Sequence, residues 1–318
     1  MTVAEAAPTI VDFHNHFVPA RFEQTAVRTF PASQRPRWEA LARKLSDEAL
    51  LLQDIRDGDI AARVVNIPLA LIADADGRVP HDTVRAVNDE IAALVARHPG
   101  RIHGLASVDP FDGERSAREA ERAIRDLGLR GLFVDCARGS LLIDTREARP
   151  TLEAAARLGA PVFVHPVNPQ PLTGQMAPYG TIATLFARGT VNSAALLALV
   201  EGGVFAELPD LRVVVTELAF GGLAMAAAFS PRSRLPGGAV DTMRRHVFID
   251  TMCFNPALLR AAVDILGPGN VMAGSDFPIV SDGRIGATLT QAMRGAGLTG
   301  AEQQAVASGN CRRLLGLP

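Results

Sequence analysis

Short β-branched runs alternate with helically periodic stretches along the whole chain, and this alternation limits the possible folds more than any other feature. Eight such runs are read from the sequence: Thr9–Phe13, Arg63–Ile67, Ile102–Val108, Gly131–Val134, Pro161–Val164, Leu211–Thr216, His246–Asp250 and Asn270–Ala273. Between them, Thr83–His98 carries apolar residues at Val84, Val87, Ile91, Leu94 and Val95, the spacing of one helix face. Ser116–Leu127, Thr151–Leu158, Pro256–Leu266, Ala287–Met293 and Gly300–Leu315 read the same way. Eight strand–helix units in 318 residues predict an α/β fold of the (β/α)₈ TIM-barrel type. A doubly wound open sheet is the rival, but no Gly-rich dinucleotide turn follows the first strand. The sequence predicts one domain over residues 1–318, with no repeat or linker to divide it. Two segments exceed what a barrel needs and are read as rim-loop insertions. They are Phe17 to Asp59, with a Pro- and Arg-rich patch from Phe30 to Trp38 ahead of an acidic helix, and Pro166 to Thr181 after strand five.

Hydrophobic residues make up 48% of the chain and charged residues 21%, enough apolar surface for a large core. The net charge of -2 gives no electrostatic reason to expect nucleic acid or an anionic membrane as partner. Cys136, Cys253 and Cys311 lie too far apart in sequence for a metal-type pair, and an odd count makes a poor disulfide framework. Met1 to Thr9 has no basic residue and no long apolar run behind it, so it does not read as a signal peptide. The longest apolar runs, Ala194–Val200 and Leu223–Phe229, fall short of the roughly 18–20 residues that span a bilayer. A cytoplasmic location is expected.

The chemistry concentrates where strands end. Strand one finishes Asp12-Phe13-His14-Asn15-His16, and residues two apart on a strand share a face. His14 and His16 are therefore paired candidates for a borderline divalent metal. Strand five ends in His165, and strand eight runs through Gly274-Ser275 to Asp276-Phe277-Pro278. Taken alone, Asp276 reads as a turn residue. Together these strands bring His14, His16, His165 and Asp276 to one barrel rim, a set that leaves a coordination position open for water. His81, His98, His103 and His246 fall in turns, a helix end and strand beginnings, away from that rim.

The order His14-Asn15-His16, His165-Pro166 and Gly274-Ser275-Asp276-Phe277-Pro278 resembles the amidohydrolase superfamily. Within it, the chain is similar to the amidohydrolase-2 branch typified by α-amino-β-carboxymuconate-ε-semialdehyde decarboxylase. Asn88-Asp89-Glu90, Gly203-Val204-Phe205 and the tail Gly309-Asn310-Cys311-Arg312-Arg313-Leu314 carry the resemblance across nearly the whole chain. The resemblance implies that His14, His16, His165 and Asp276 bind one divalent metal, zinc most often and manganese as an alternative. It also implies a homodimer. Dinuclear members of the superfamily use a carboxylated lysine after strand four; Lys44 is the only lysine here, and strand four ends Phe133-Val134-Asp135-Cys136. A mononuclear site is expected.

At the end of strand six the branch commonly has a catalytic histidine, whereas this chain has Glu217. A carboxylate near a cation tends to stay ionised and to accept protons, which suits water activation better than protonation of a ring carbon. The expected function is thus a metal-dependent hydrolase of a small amide, lactone or similar molecule, with Glu217 and Asp276 as catalytic residues. The alternative is non-oxidative decarboxylation of an aromatic or unsaturated carboxylic acid, and a further one is a non-catalytic binding barrel. Phe17, Trp38, Asn168, Arg232 and Arg234 are the candidate substrate-binding residues, the two arginines because guanidinium forks suit carboxylates.

Overall fold

Parallel strands can be joined only by long crossovers, and nearly every strand of this chain is followed by helical structure. A computed structural model describes residues 9–25, 35–74, 77–280 and 283–318. Seven strand positions run parallel in chain order: Val11–His16, Ala62–Asn66, Ile102–Gly104 continued by Ala106–Ser107, Leu132–Asp135, Val162–His165, Val213–Val215 and Val247–Ile249. The third is interrupted at Leu105, yet still joins both neighbours. Leu105 N–H donates to the Val65 carbonyl (2.9 Å), and Ala106 N–H to that of Gly131 (2.8 Å).

The eighth run forms no extended ladder, but it closes the ring. Met272 N–H donates to the Ile249 carbonyl at 2.9 Å, and Phe13 N–H to the Ala273 carbonyl at 2.8 Å. Strand eight thus bonds to strands seven and one, completing the expected barrel. Every strand position supplies a buried apolar side chain to the barrel interior, from Val11 and Phe13 through Phe133 and Phe163 to Met272. Cys311 and Leu315 of the helix Asn310–Leu315 pack on the same cluster, which gives Cys311 a structural role. A larger apolar layer lies between strands and helices.

Most expected helices are present: His81–Arg97, Glu114–Arg125, Arg149–Leu158, Pro256–Leu266 and Ile285–Gly295, of which Pro256–Leu266 has the expected ends and the others are shifted. Asn255 caps the fourth of these, its side-chain oxygen accepting from Ala257 and Leu258 N–H at 2.9 and 3.2 Å. In the first insertion the structure has Arg35–Leu45, Glu48–Leu51 and Gln53–Arg56; residues 30–34 of the Pro- and Arg-rich patch lie outside the described residues.

The second insertion differs from the expected loop. It holds the short helix Leu172–Met176 and leads into Thr181–Glu201, a 21-residue helix that the sequence reading missed. This helix is apolar on most sides, so it shows little of the periodicity that marks an amphipathic helix. It is long and apolar enough to cross a membrane by length and composition. Here, however, Ala187, Leu196, Leu199 and Val200 are buried and it packs on the barrel.

Candidate metal centre

Strand one carries an irregularity that makes the site. Its register with strand two slips between Asp12 and Asn15. Val11 and Phe13 face the barrel interior before the slip, and His14 and His16 face it after, as expected for a bulge that re-aims side chains. His14 packs edge-on to Phe163 at 4.8 Å. Asp12 and Asn15 turn the other way, toward the buried guanidinium of Arg63.

The four residues singled out from sequence converge. One ligand atom from each of His14, His16, His165 and Asp276 lies within 4.8 Å of all the others, and all four residues are buried. His14 Nε2 and His16 Nε2 face each other at 3.1 Å, and Asp276 Oδ1 lies 3.1 Å from His16 Nε2. Two partners set the tautomers. Asp250 Oδ2 sits 2.7 Å from His14 Nδ1, and Asn66 Oδ1 2.8 Å from His16 Nδ1. Each ring then donates through Nδ1 and turns a bare Nε2 lone pair inward. Asp276 Oδ1 is buried and has no hydrogen-bond donor. Burial and the neighbouring His16, Arg188 and His14 hold the His165 pKa well below its ordinary value, so that ring stays neutral. Buried acceptors facing one another repel unless a cation stands between them, and this donor set fits one divalent ion.

Local backbone geometry serves the same end. Asp276 has φ of 52°, a left-handed conformation that aspartate tolerates better than most residues. Gly274 lets strand eight approach: a Cβ there would meet Asp250 Cβ at 2.7 Å and His14 Cβ at 3.0 Å.

Glu217 opens a turn, Glu217–Ala219, directly after strand six. Its N–H donates to Asp250 Oδ1 (2.8 Å), and its Oε2 accepts from Cys253 N–H (2.7 Å). Asp250 therefore ties Glu217 to His14. Burial is the main cause that pushes the Glu217 carboxyl up to about 7, opposed by the Cys253 N–H and assisted by Asp250. Burial, the largest influence, favours the protonated form of this carboxyl, whereas the sequence reading expected an ionised one beside a cation.

The expected substrate-binding residues separate. Phe17 is buried in the core. Trp38 is half-buried on the helix Arg35–Leu45 of the first insertion. Asn168 is exposed, and its Oδ1 accepts from Arg188 at 3.0 Å. Arg232 is exposed and lies over the Phe229 ring at 5.4 Å. Arg234 lines a surface cleft with Asp144 and Glu201. Glu201 follows Arg188 by 13 residues on one helix, about 20 Å along its axis, so Arg234 belongs to a different part of the molecule from the rim.

Sequence reasoning missed Asn66, Asp250, Asp135 and Arg188. Three of these end, or directly follow, apolar strand runs, the same signal that identified His165. Arg188 had no such marker.

The barrel and its rim cluster define an enzyme with a single divalent-metal site. The chain belongs to the amidohydrolase family, matching it over residues 11–317. It is 25% identical over 284 residues to the 2-amino-3-carboxymuconate-6-semialdehyde decarboxylase of Dictyostelium discoideum, covering 85% of this chain and 77% of that one. The 5-carboxyvanillate decarboxylase of Sphingomonas paucimobilis superposes with a TM-score of 0.83 at 22% identity, over 98% of this chain and 99% of that one. A dihydroxybenzoic acid decarboxylase from Polaromonas sp. JS666, with bound manganese and 2-nitroresorcinol, gives 0.79 at 21% identity over 97% of each chain. These relatives are decarboxylases, which overturns the hydrolase expectation. That expectation rested on an ionised Glu217, a carboxyl that burial raises to about 7.

Proposed function

We propose that this protein is a metal-dependent, non-oxidative decarboxylase of an aromatic carboxylic acid. The observation that carries the reading is the position of Glu217: a buried carboxyl, its pKa raised to about 7, tied through Asp250 to the ring of His14. His14, His16, His165 and Asp276 would hold the ion, and we take Mn²⁺ as the ion to test first. When bound, such a cation supplies a Lewis acid that anchors and polarises substrate oxygens.

The chain's own groups do the rest. Asp250 and Asn66 hold the imidazoles in one tautomer. The protonated Glu217 carboxyl gives its proton to the ring carbon that bears the carboxylate. The C–C bond then breaks, its electron pair returns to the ring, and CO₂ leaves. The Glu217 carboxylate recovers a proton from water. A pKa near the working pH suits a group that must both lose and regain that proton.

Two further parts of the reading concern surroundings. A second copy of the chain would cover an apolar face. On it, Ile182 (85% exposed) and Phe186 (61%) lie one turn apart on Thr181–Glu201, and Met225 and Phe229 lie on or just after the neighbouring helix Phe220–Ala228. The three cysteines are free, which suits a reducing cytoplasm.

The test is to load the purified protein with Mn²⁺ and offer a panel of hydroxybenzoic acids, following CO₂ release and product mass. We expect CO₂ release that a chelator abolishes and re-added metal restores. A fully metallated protein that releases CO₂ from none of the panel overturns the reading.

A further inference from the structure

Beside the metal-site residues lie a carboxyl and a guanidinium that form no ion pair with each other. Asp135 ends strand four and is paired in register with His165 on strand five. It sits one strand spacing away, about 4.8 Å. Phe133, two residues earlier, packs against the His165 ring at 5.0 Å, so Asp135 shares the inward face. Its carboxylate has no hydrogen-bond or ion-pair partner among the described residues. The nearby Asp109 is occupied, accepting from Arg138 at 2.7 Å and from Phe111 N–H at 3.0 Å.

Arg188 reaches the same place from the helix Thr181–Glu201. Its Nη1 and Nη2 donate to Asn168 Oδ1 (3.0 Å) and to the Pro166 carbonyl (2.9 Å), just beyond His165. These two acceptors hold the fork but leave its charge unneutralised. Asp135 and Asp276 lie within electrostatic reach, yet no ion pair joins either to Arg188 among the described residues.

A group bridging the two must give a proton to the carboxylate and accept one from the guanidinium. A second carboxylate would be repelled by Asp135 once it has lost the proton that burial lets it keep up to about 7, and an ammonium by Arg188. A hydroxyl does both. We propose that Asp135 and Arg188 together read a ring hydroxyl of the substrate, which donates to Asp135 and accepts from Arg188. They are specificity-determining residues of the same site, and the inference rests on the aromatic-acid reading above.

The experiment measures binding of benzoate and its 2-, 3- and 4-hydroxy derivatives to the Mn²⁺-loaded protein at pH 8, by calorimetry. Asp135→Leu, Asp135→Asn and Arg188→Met are compared, with metal content and melting temperature as controls. At one ring position the hydroxyl should tighten binding by about 10-fold or more, the effect of a hydrogen bond to a charged group. Asp135→Leu and Arg188→Met should erase that gain. Asp135→Asn should keep part of it, because the amide oxygen still accepts.

Absence of a gain at every ring position overturns the proposal. So does a gain that survives in Asp135→Leu. Equal weakening of all four acids by Arg188→Met means that Arg188 reads charge alone, which also overturns it. Should Arg188→Met fail to fold, the two Asp135 variants decide. Carbon dioxide release is followed in parallel. Release with the gain surviving Asp135→Leu removes the pair and leaves the decarboxylase reading. A gain erased by Asp135→Leu in a protein that releases no CO₂ supports the pair and removes that reading.

Discussion

Two buried polar clusters lie on opposite faces of strand one, and they treat their charges in opposite ways. On the outer face, Arg63 donates to Asp12 Oδ2 at 3.0 Å and is hydrogen-bonded to Asn15 and Asp54. Its guanidinium also stacks on Phe277 at 3.8 Å. Ser275 completes Asp12 through its hydroxyl at 2.6 Å and its N–H at 3.0 Å. Of the Arg63 nitrogens, only Nε lacks a partner. On the inner face, His14 Nε2, His16 Nε2 and Asp276 Oδ1 crowd together, and Asp276 Oδ1 has no hydrogen-bond donor. The first cluster matches hydrogen-bond donors to acceptors and ties strands one, two and eight together. The second is incomplete without a cation. Burial of polar groups is common to both; the matching of donors to acceptors separates a structural network from a binding site.

Substitutions on each face should therefore fail differently. The largest effect is expected from His165→Ala. Metal analysis should show its bound ion falling from one per chain toward none, and CO₂ release should fall to background. Urea unfolding of the metal-free forms should change little, because the barrel core is built from other residues. Global unfolding of this variant would break the comparison. Arg63→Met should do the reverse. Removing one member of a buried ion network leaves two carboxylates unpaired and costs about 3–5 kcal/mol of folding stability. Metal stoichiometry in the folded fraction should stay near one.

Glu217→Gln should lower turnover by roughly 10²-fold, within the usual range of general acid–base catalysis, with metal content unchanged. Its pH profile sharpens the test. The carboxyl is raised from an ordinary 4.5 to about 7, so the acid form is lost as pH rises through 7. Activity of the parent should fall across that range, and Glu217→Gln should lack this limb. The same shift has a consequence for folding. Between 4.5 and 7 the folded state keeps a proton that the unfolded state releases, so the contribution of this group to stability declines as pH rises through that window. The smallest effect is expected from Asp250→Asn. It perturbs the partner of His14 rather than a ligand and should weaken metal affinity by about 10- to 100-fold, measured by competition with a chelator.

The barrel was readable because its periodic signals are local. Apolar runs of strand length and one-sided helical spacing are set by neighbouring residues, as in His81–Arg97 with Val84, Val87, Ile91 and Leu94 buried. The helix Thr181–Glu201 escaped because it carries apolar residues around most of its circumference, and with it Arg188 was lost from view.

The sequence by itself determined the strand order, and with it the delivery of His14, His16, His165 and Asp276 to one rim, since each sits at a strand end. Only the tertiary structure decided the rest. The slip between Asp12 and Asn15 sets which face of strand one receives imidazoles and which receives Arg63, and it depends on pairing with strand two. The tautomers of His14 and His16 depend on Asp250 and Asn66, at 236 and 50 residues' remove. Above all, the sequence shows Glu217 only as a carboxyl, while the fold buries it and raises its pKa to about 7. Burial sets that difference, and burial is a property of the packed neighbourhood that no run of adjacent residues encodes.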